Sequence, residues 1–517
     1  MRQFPWLTVL TLVPLLSGLA MMRWGVGRER VVRGLAWGTW ALALGLVLGL
    51  AAAVDLRSGT LQAVERHVWV PSLGMEYYVG MDGLGWVMVL LTVVVSGMAL
   101  GAAKGIKDRP HLFHGLVLCL MAGLFGTFTA LNFVHWFLFW ELSLIPAFFL
   151  VRLWGGPHRG TAAVQFFLFT LGGSVVMLLG FLALFLASGQ MNFPELAQWA
   201  REGRLWPKVM ELLGRGEGSG TGVMWWVFAG VLAGLAVKVP MMPLHTWLPQ
   251  TYAEASAPVS MLLTGVMSKM GLYGLVRIFL PIFQEPMMVV GPWLMGLAVW
   301  TVLASACAAL VQRDLKRMLA YSSVNHLGYC LLAVFAVGAA QTEPGGEVHR
   351  AAALNGAVLQ MFNHGLTAAT LFWFVGLLEA RNGGRRSLED FGGVRVVAPV
   401  FCGLMGIAVF ASLGLPGLNG FVGEFLIFRG VLPLVPWAAV LAVPGLLVTA
   451  VFLLRLMERV FYGPLRPEWL SWPDLSGRER MSLGIPVGLM LVLGVWPQGL
   501  LQWINPFVIR WVEGLRF

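Results

Sequence analysis

Apolar runs of about 18 residues or more recur along this sequence from one end to the other. Each is long enough to cross the ~30 Å hydrocarbon core of a bilayer as a helix. In lipid, backbone polar groups must be satisfied within the protein, and a helix does this segment by segment. The expected fold class is therefore an all-α polytopic membrane protein. With 58% hydrophobic and only 12% charged residues over 517 positions, a soluble globular fold is excluded, and length counts spans rather than domains. About 14 spans are expected, near 4–22, 31–53, 82–103, 113–131, 133–153, 162–188, 223–243, 256–280, 287–311, 318–340, 351–378, 396–430, 433–461 and 481–503. The first run is too long for a signal-peptide core and has no small-residue cleavage site, so it is expected to remain as span 1. The net charge of +10 suits an anionic lipid surface, and nothing points to nucleic acid. Cys119, Cys307, Cys330 and Cys402 stand singly in separate runs, a spacing that argues against disulfides, clusters and zinc. CxxCH, GxGxxG and Walker signatures are missing from the sequence, so no redox centre is expected in this chain.

An even number of spans puts both termini on one side. Alternate loops then carry short basic clusters, such as Arg28 with Arg30, Lys104 with Lys107, Arg313 with Lys316 and Arg317, and Arg385 with Arg386. The opposite loops carry most of their charge in one long mixed segment, 190–222. The excess of Lys and Arg places the basic loops on the cytoplasmic face or its equivalent, and both termini and the 190–222 segment on the other. Spans 7 and 12 are interrupted, the first by Pro240 after Lys238, the second by Pro416, Gly417 and Gly420 before Glu424. Each is the fourth helix of a five-helix set, spans 4–8 and 9–13. Five is odd, so the second set enters the membrane inverted, the arrangement of transporters with broken helices at their ion sites. The expected division is 1–112 (spans 1–3), 113–285 (first repeat), 286–462 (second repeat) and 463–517 (span 14 and tail).

Ionisable residues inside spans mark function. Lysine occurs only at positions 104, 107, 208, 238, 269 and 316, every other strongly basic residue being arginine. Arginine holds its proton in a protein, whereas buried lysine can release one. Lys238 and Lys269 therefore read as proton-exchange sites, Lys269 at roughly 18 Å depth. Glu141 lies roughly 12 Å into span 5, two helices from Lys238, and is its candidate partner. His326 lies at mid-depth and can pass a proton between its ring nitrogens. His364 on span 11 is similar, with a helix-to-helix hydrogen bond as the alternative. His135 reads as structural. His245 and Glu254, after the first break, fit either a proton entrance or capping of the half-helices.

These residues sit in a set of motifs: WELSLIP with Glu141, AVKVPMMPLHTWLP with Lys238, EASAPVSMLLTGVMSKMGLYG with Lys269, QRDLKRMLAYSSVNHLG with His326 and ASLGLPGLNGFVGEF with Glu424. The set resembles the antiporter-like, proton-translocating membrane subunits of respiratory complex I, the NAD(P)H:quinone oxidoreductase, over nearly the whole chain. Within that family it is most similar to the chain-4 type, which ends its channel on a glutamate where the chain-2 and chain-5 types use lysine. FPWLT, VWVPSLGMEYYVGMDGL and RLWGG resemble the cyanobacterial and plastid branch, which uses plastoquinone. The family's WLPDAH has become WLPQTY here, with Gln250 and Tyr252, and the residue before His326 is Asn325; a carboxylate and a histidine are thus missing from the proton entrance. The resemblance implies proton transfer through Glu141, Lys238, Lys269, His326 and Glu424, with His364 a further candidate. It implies no cofactor or metal in this chain, with NAD(P)H or ferredoxin, iron–sulfur clusters and quinone elsewhere in the complex. The implied partners are membrane-arm subunits of the chain-2 and chain-5 types and the lipid bilayer, in a bacterial inner membrane or a cyanobacterial thylakoid. The alternative is a large subunit of a multisubunit Mrp-type cation/proton antiporter, which shares the fold and the lysines.

Overall fold

The structure, a computed structural model, describes residues 4–213, 220–340 and 345–515. Helices α1 (Trp6–Trp24) and α2 (Glu29–Ala53) lead into a hairpin of β1 (Gln62–Val70) and β2 (Met75–Met81). Then follow α3 (Gly83–Ala102), α4 (Pro110–Thr129), α5 (Phe133–Trp154) and α6 (Arg159–Ser188). Two short helices, α7 (Phe193–Arg201) and α8 (Leu205–Leu213), precede α9 (Gly220–Lys238) and α10 (Trp247–Glu254). The next span is a composite of α11 (Ala257–Leu262), α12 (Lys269–Gly274) and α13 (Leu280–Ile282), joined by π-helical turns at Leu263–Met267 and Leu275–Phe279. The second half contains α14 (Gln284–Val311), α15 (Leu315–Ala339), α16 (Gly346–Arg381), α17 (Pro399–Leu413), α18 (Asn419–Leu434), α19 (Pro436–Phe461), α20 (Gly477–Val495) and α21 (Gln498–Glu513).

Eleven of these spans are long and apolar enough to cross a membrane, and the bent pair α20–α21 brings the number to 12. Burial sorts them. In α3, α4, the α11–α13 composite, α15 and α16, between 83% and 100% of the apolar stretch is buried; in α1, α2, α6 and α19 the share is 28–39%. The first group is an inner bundle, and the second shows a broad apolar face to its surroundings, as a lipid-facing helix does. The helices are started by side chains that take up their free backbone N–H groups. Asp82 accepts from Gly85 N at 3.1 Å, Asn132 from Val134 N at 3.0 Å and Asp314 from Arg317 N at 3.0 Å.

Both expected helix breaks are present. α9 ends at Lys238 and the chain resumes helix at Trp247; α17 ends at Leu413 and α18 starts at Asn419. Gly414 turns the second break with φ +80°, a conformation that favours glycine, and a Cβ there would stand 3.0 Å from Glu424 Oε2. The short basic loops gather on one face. Trp154 Nε1 donates to Asp108 O at 2.9 Å, Arg386 pairs with Asp314 at 2.6 Å and with Glu254 at 3.0 Å, and Arg381 pairs with Glu479 at 2.8 Å.

Three features differ from the sequence reading. Residues 62–81 form an antiparallel hairpin, with register running from Gln62↔Met81 to Val70↔Met75, a β element that the all-α expectation does not include. Span 14 ends at Val495 instead of running to 503. Pro497 removes a helical N–H and pushes Trp496 out of helical geometry, so the chain bends by 62° into α21. α21 buries Leu500, Ile504, Phe507, Val508 and Val512 on one stripe, the spacing of an amphipathic helix. The 190–222 segment folds into α7 and α8 as far as Leu213, while 214–219 lies outside the described residues. On that same face, Asp82 holds Arg277 through two hydrogen bonds of 2.5 and 2.6 Å, with side chains only 3% and 11% exposed.

Candidate functional site

Lys269 stands at the middle of the inner bundle, on a helix that is locally unwound. A π-helical turn leaves a backbone carbonyl short of its usual partner, and the Lys269 ammonium group donates to the freed Thr264 O at 2.5 Å. It also contacts His364 Nδ1 at 2.8 Å and, more loosely, Ser268 Oγ at 3.5 Å. The lysine is fully buried. Unpaired buried charge is costly, and these three oxygen and nitrogen partners replace its water. An imidazole that accepts from an ammonium group must present a lone pair, so His364 carries its proton on Nε2 while Lys269 is charged.

From His364 the arrangement continues. Its ring centroid is 5.3 Å from that of His326, with the planes 37° apart. His326 Nδ1 is 2.8 Å from Glu424 Oε1, and its Nε2 is 3.2 Å from Ser412 Oγ. Gln360 donates to the same Glu424 oxygen at 3.1 Å. All of these groups are buried. Lys269, His364, His326 and Glu424 thus form a line of titratable groups across α12, α16, α15 and α18, hydrogen-bonded at its two outer links and joined in the middle by the approach of the two imidazole rings. The break at 414–418 is held by cross-links to α16: Asn363 donates to Asn419 O at 2.7 Å, and Asn419 donates to Asn363 O at 3.2 Å.

Lys238 and Glu141 occupy a different kind of place. Lys238 Nζ is buried with no hydrogen-bond partner and lies 5.1 Å over the Trp140 ring. Glu141 Oε1 is likewise buried and unpartnered. Among the described residues, no ion pair within 4.0 Å joins the two. A turn holds Lys238 at the end of α9, anchored where Met242 N donates to Thr301 Oγ1 at 3.1 Å and Trp247 Nε1 to Val237 O at 3.0 Å.

The residues after the first break divide. Glu254 is buried, accepts from His158 N at 2.8 Å and pairs with Arg386. Gln250 accepts from Arg317 at 3.0 Å. His245 Nδ1 is buried without a partner, its ring 6.1 Å from Tyr321. His135 is packed between Tyr77 and Phe139. Asn325 joins α14 to α19, donating to Val302 O at 2.9 Å and accepting from Thr449 at 3.1 Å. Sequence reasoning did not find Gln360, Ser412 or the Thr264 carbonyl. Gln360 and Ser412 do stand out as polar residues within apolar helices, but nothing in their spacing says that they converge on Glu424 and His326.

Residues 130–451 match the family described as NADH:quinone oxidoreductase/Mrp antiporter, TM. The chain belongs to this family. Among its relatives, NAD(P)H-quinone oxidoreductase chain 4 1 of Synechococcus sp. (strain JA-3-3Ab) is 36% identical over 509 residues, covering 95% of this chain and 90% of the relative. The structure of respiratory complex I from Thermus thermophilus with bound NADH contains a chain that matches with a TM-score of 0.82 at 27% identity, over 99% of this antiporter-family chain and 100% of that one. A chain of the Mrp complex from Dietzia sp. DQ12-45-1b has the same fold, with a TM-score of 0.82 at 20% identity over 99% and 98%.

Proposed function

We propose that this chain is a chain-4-type, proton-translocating subunit in the membrane arm of an NAD(P)H- or ferredoxin-dependent quinone oxidoreductase. Its relatives named chain 4 span almost all of it, whereas the likeness to the Mrp complex, at 20% identity, speaks for the fold alone. The observation that carries the reading is the buried line Lys269–His364–His326–Glu424, with hydrogen bonds of 2.8 Å at both ends. Such a line suits proton relay, because each imidazole can take a proton on one nitrogen and release one from the other, while the Lys269 amine and the Glu424 carboxylate can each gain and lose one.

In this reading Glu141 sets the proton affinity of Lys238, whose gain and loss of a proton drives the transfer through Lys269; the two histidines carry that proton across and Glu424 delivers it to the far side. Electron carriers and quinone, plastoquinone in the cyanobacterial branch, belong to other subunits, and the neighbours are chains of the 2 and 5 types. Counting α9 with α10 and α17 with α18 as broken spans raises the 12 to the expected 14, and the two breaks then occupy matching places in two inverted five-helix repeats, 113–285 and 286–462. The basic loops face the cytoplasm or its equivalent, with the hairpin, α7, α8 and α21 on the other side. The test is proton movement in sealed vesicles holding the whole complex, driven by electron transfer to quinone. Wild-type proton yield from an assembled Lys269→Arg complex would overturn the reading.

A further inference from the structure

Gln250 is taken up by Arg317 and Tyr252 is fully buried, so neither position offers a carboxylate or an imidazole to pass protons from the basic-loop face to Lys269. A cavity of about 560 Å³ opens among the basic loops, lined by Lys104, Glu254, Ser256, Lys316, Glu379 and Glu479. Lys316 is buried there, paired with Glu379 at 2.5 Å and donating to Ala255 O at 3.1 Å. Ser256 Oγ lines the inner wall and is buried without a partner. From Ser256 the α11–α12 composite runs directly to Lys269, and a hydroxyl recurs at every fourth residue: Ser256, Ser260, Thr264, Ser268.

Four residues make about one helical turn, roughly 6 Å along the axis, with Ser256 at the start of α11 and Thr264 on the π-helical turn at Leu263–Met267. One water bridges such a gap, since two O–H···O contacts of about 2.8 Å span it. The inner end reaches the ammonium group: Ser268 Oγ is 3.5 Å from Lys269 Nζ and donates to Thr264 O at 3.1 Å. The Tyr252 hydroxyl lies beside Ser268. Thr264 Oγ1 is joined by Ser323 Oγ of α15 at 2.8 Å, and Ser260 Oγ lies on the carbonyls of Tyr252 at 2.9 Å and Ser256 at 3.4 Å. A buried serine or threonine can end its bonding on its own helix. That role alone accounts neither for four of them in register nor for a cavity at one end and a buried ammonium group at the other.

We propose that protons reach Lys269 from the basic-loop face through this cavity and the water-bridged file Ser256, Ser260, Thr264 and Ser268. At each step a hydroxyl oxygen forms a bond to the incoming proton and breaks the bond to its own, which passes to the next water. No charge stays behind, and each hydroxyl then turns back to accept again. The inference rests on Lys269 being a proton carrier, so the experiment keeps Lys269→Arg as its reference.

Proton yield per electron is measured for the whole complex in sealed vesicles. The Ser260→Ala/Thr264→Val double variant should fall to the Lys269→Arg level while electron transfer to quinone continues. Thr264→Ser, which restores only the hydroxyl, should stay near wild type. Wild-type yield from the double variant, with Lys269→Arg defective, overturns the file and leaves the carrier role of Lys269 standing. Wild-type yield from Lys269→Arg overturns both. Ser256→Cys supplies a second measurement, at the end of the file that lines the cavity. A charged, membrane-impermeant methanethiosulfonate added on the basic-loop face should bring its yield to the same level, and the reagent added on the other face should not. Unchanged yield after complete labelling overturns the proposal.

Discussion

Replacing Lys238 with arginine keeps a positive charge at the end of α9 but removes its ability to release a proton. The geometry indicates what that exchange is worth. Lys238 and Glu141 are both buried, both lack a hydrogen-bond partner and stand more than 4.0 Å apart. At an effective dielectric near 20, unit charges at 4 Å attract by about 4 kcal/mol, and at about 8 Å by about 2. Closing the pair therefore strengthens the hold on the Lys238 proton by about 2 kcal/mol, and opening it gives that up. Moving one proton against 100 mV costs about 2.3 kcal/mol. One opening and closing of this pair thus matches a membrane potential of just under about 100 mV. The expected result is that Lys238→Arg abolishes this chain's share of proton movement. Glu141→Gln should pump at first and stall at a lower potential, and Glu141→Asp should recover part of the difference. The assay is proton uptake and limiting membrane potential in sealed vesicles, with assembly checked by electron transfer to quinone. A Lys238→Arg complex that assembles normally and pumps at the wild-type rate refutes the reasoning.

Glu424→Gln removes the acceptor of His326 and should cut proton yield while the complex assembles; Glu424→Lys should retain part of it, and wild-type yield from the glutamine variant would make Glu424 structural. His364→Phe cuts the line between Lys269 and His326 and should lower yield to the Lys269→Arg level, whereas a yield unchanged from wild type would remove His364 from the path. Asp82→Asn leaves Arg277 buried without its counter-charge, at a cost of about 3–5 kcal/mol; a clearly lower melting temperature of the complex is expected, and an unshifted one would count against that pair as a tie between α3 and the π-helical turn at Leu275–Phe279. Cysteine at Gln198 should react with an impermeant thiol reagent from the face opposite the basic loops, and a reporter on Phe517, which lies outside the described residues, should report the same side; labelling of either from the basic face would invert the topology.

What the sequence made legible, and what it did not, follows from the range of each interaction. A lysine inside an apolar run is visible as such, because its cost does not depend on which helix it faces; Lys238 and Lys269 stood out for that reason. The break after Lys238 and the one before Glu424 were equally visible, since proline and glycine act on the local chain. The π-helical turns on either side of Lys269 were not: the first, at Leu263–Met267, packs against α3 and α16 and the second, at Leu275–Phe279, against α9, and packing of this kind leaves no local mark in the sequence. The hairpin at 62–81 carries its alternation weakly, with two irregularities in register between its strands, and it was passed over among stronger helical signals. His364 shows the limit most clearly. It is 95 residues from Lys269, and only the packing of α16 against the α11–α12 composite tells a linking histidine from one that merely joins two helices.

The hydrogen bonds also set a direction on the proposed path. With Lys269 charged and Glu424 ionised, His364 must accept at Nδ1, and His326 must donate from Nδ1 to Glu424 Oε1. His364 then holds its proton on Nε2, while His326 offers a lone pair at Nε2, where Ser412 Oγ now donates at 3.2 Å. A proton leaving Lys269 enters His364 at Nδ1 and displaces the one on Nε2. That proton can enter His326 at Nε2 once the Ser412 hydroxyl turns aside, and the Nδ1 proton of His326 passes to Glu424. Both rings finish in the opposite tautomer. His364 now presents an N–H toward a neutral Lys269, and His326 presents a lone pair toward a protonated Glu424. Neither can accept another proton from the Lys269 side until Glu424 has discharged and the tautomers have been restored. The line therefore carries one proton per cycle and resists a second, and the step that resets it is release from Glu424 rather than arrival at Lys269.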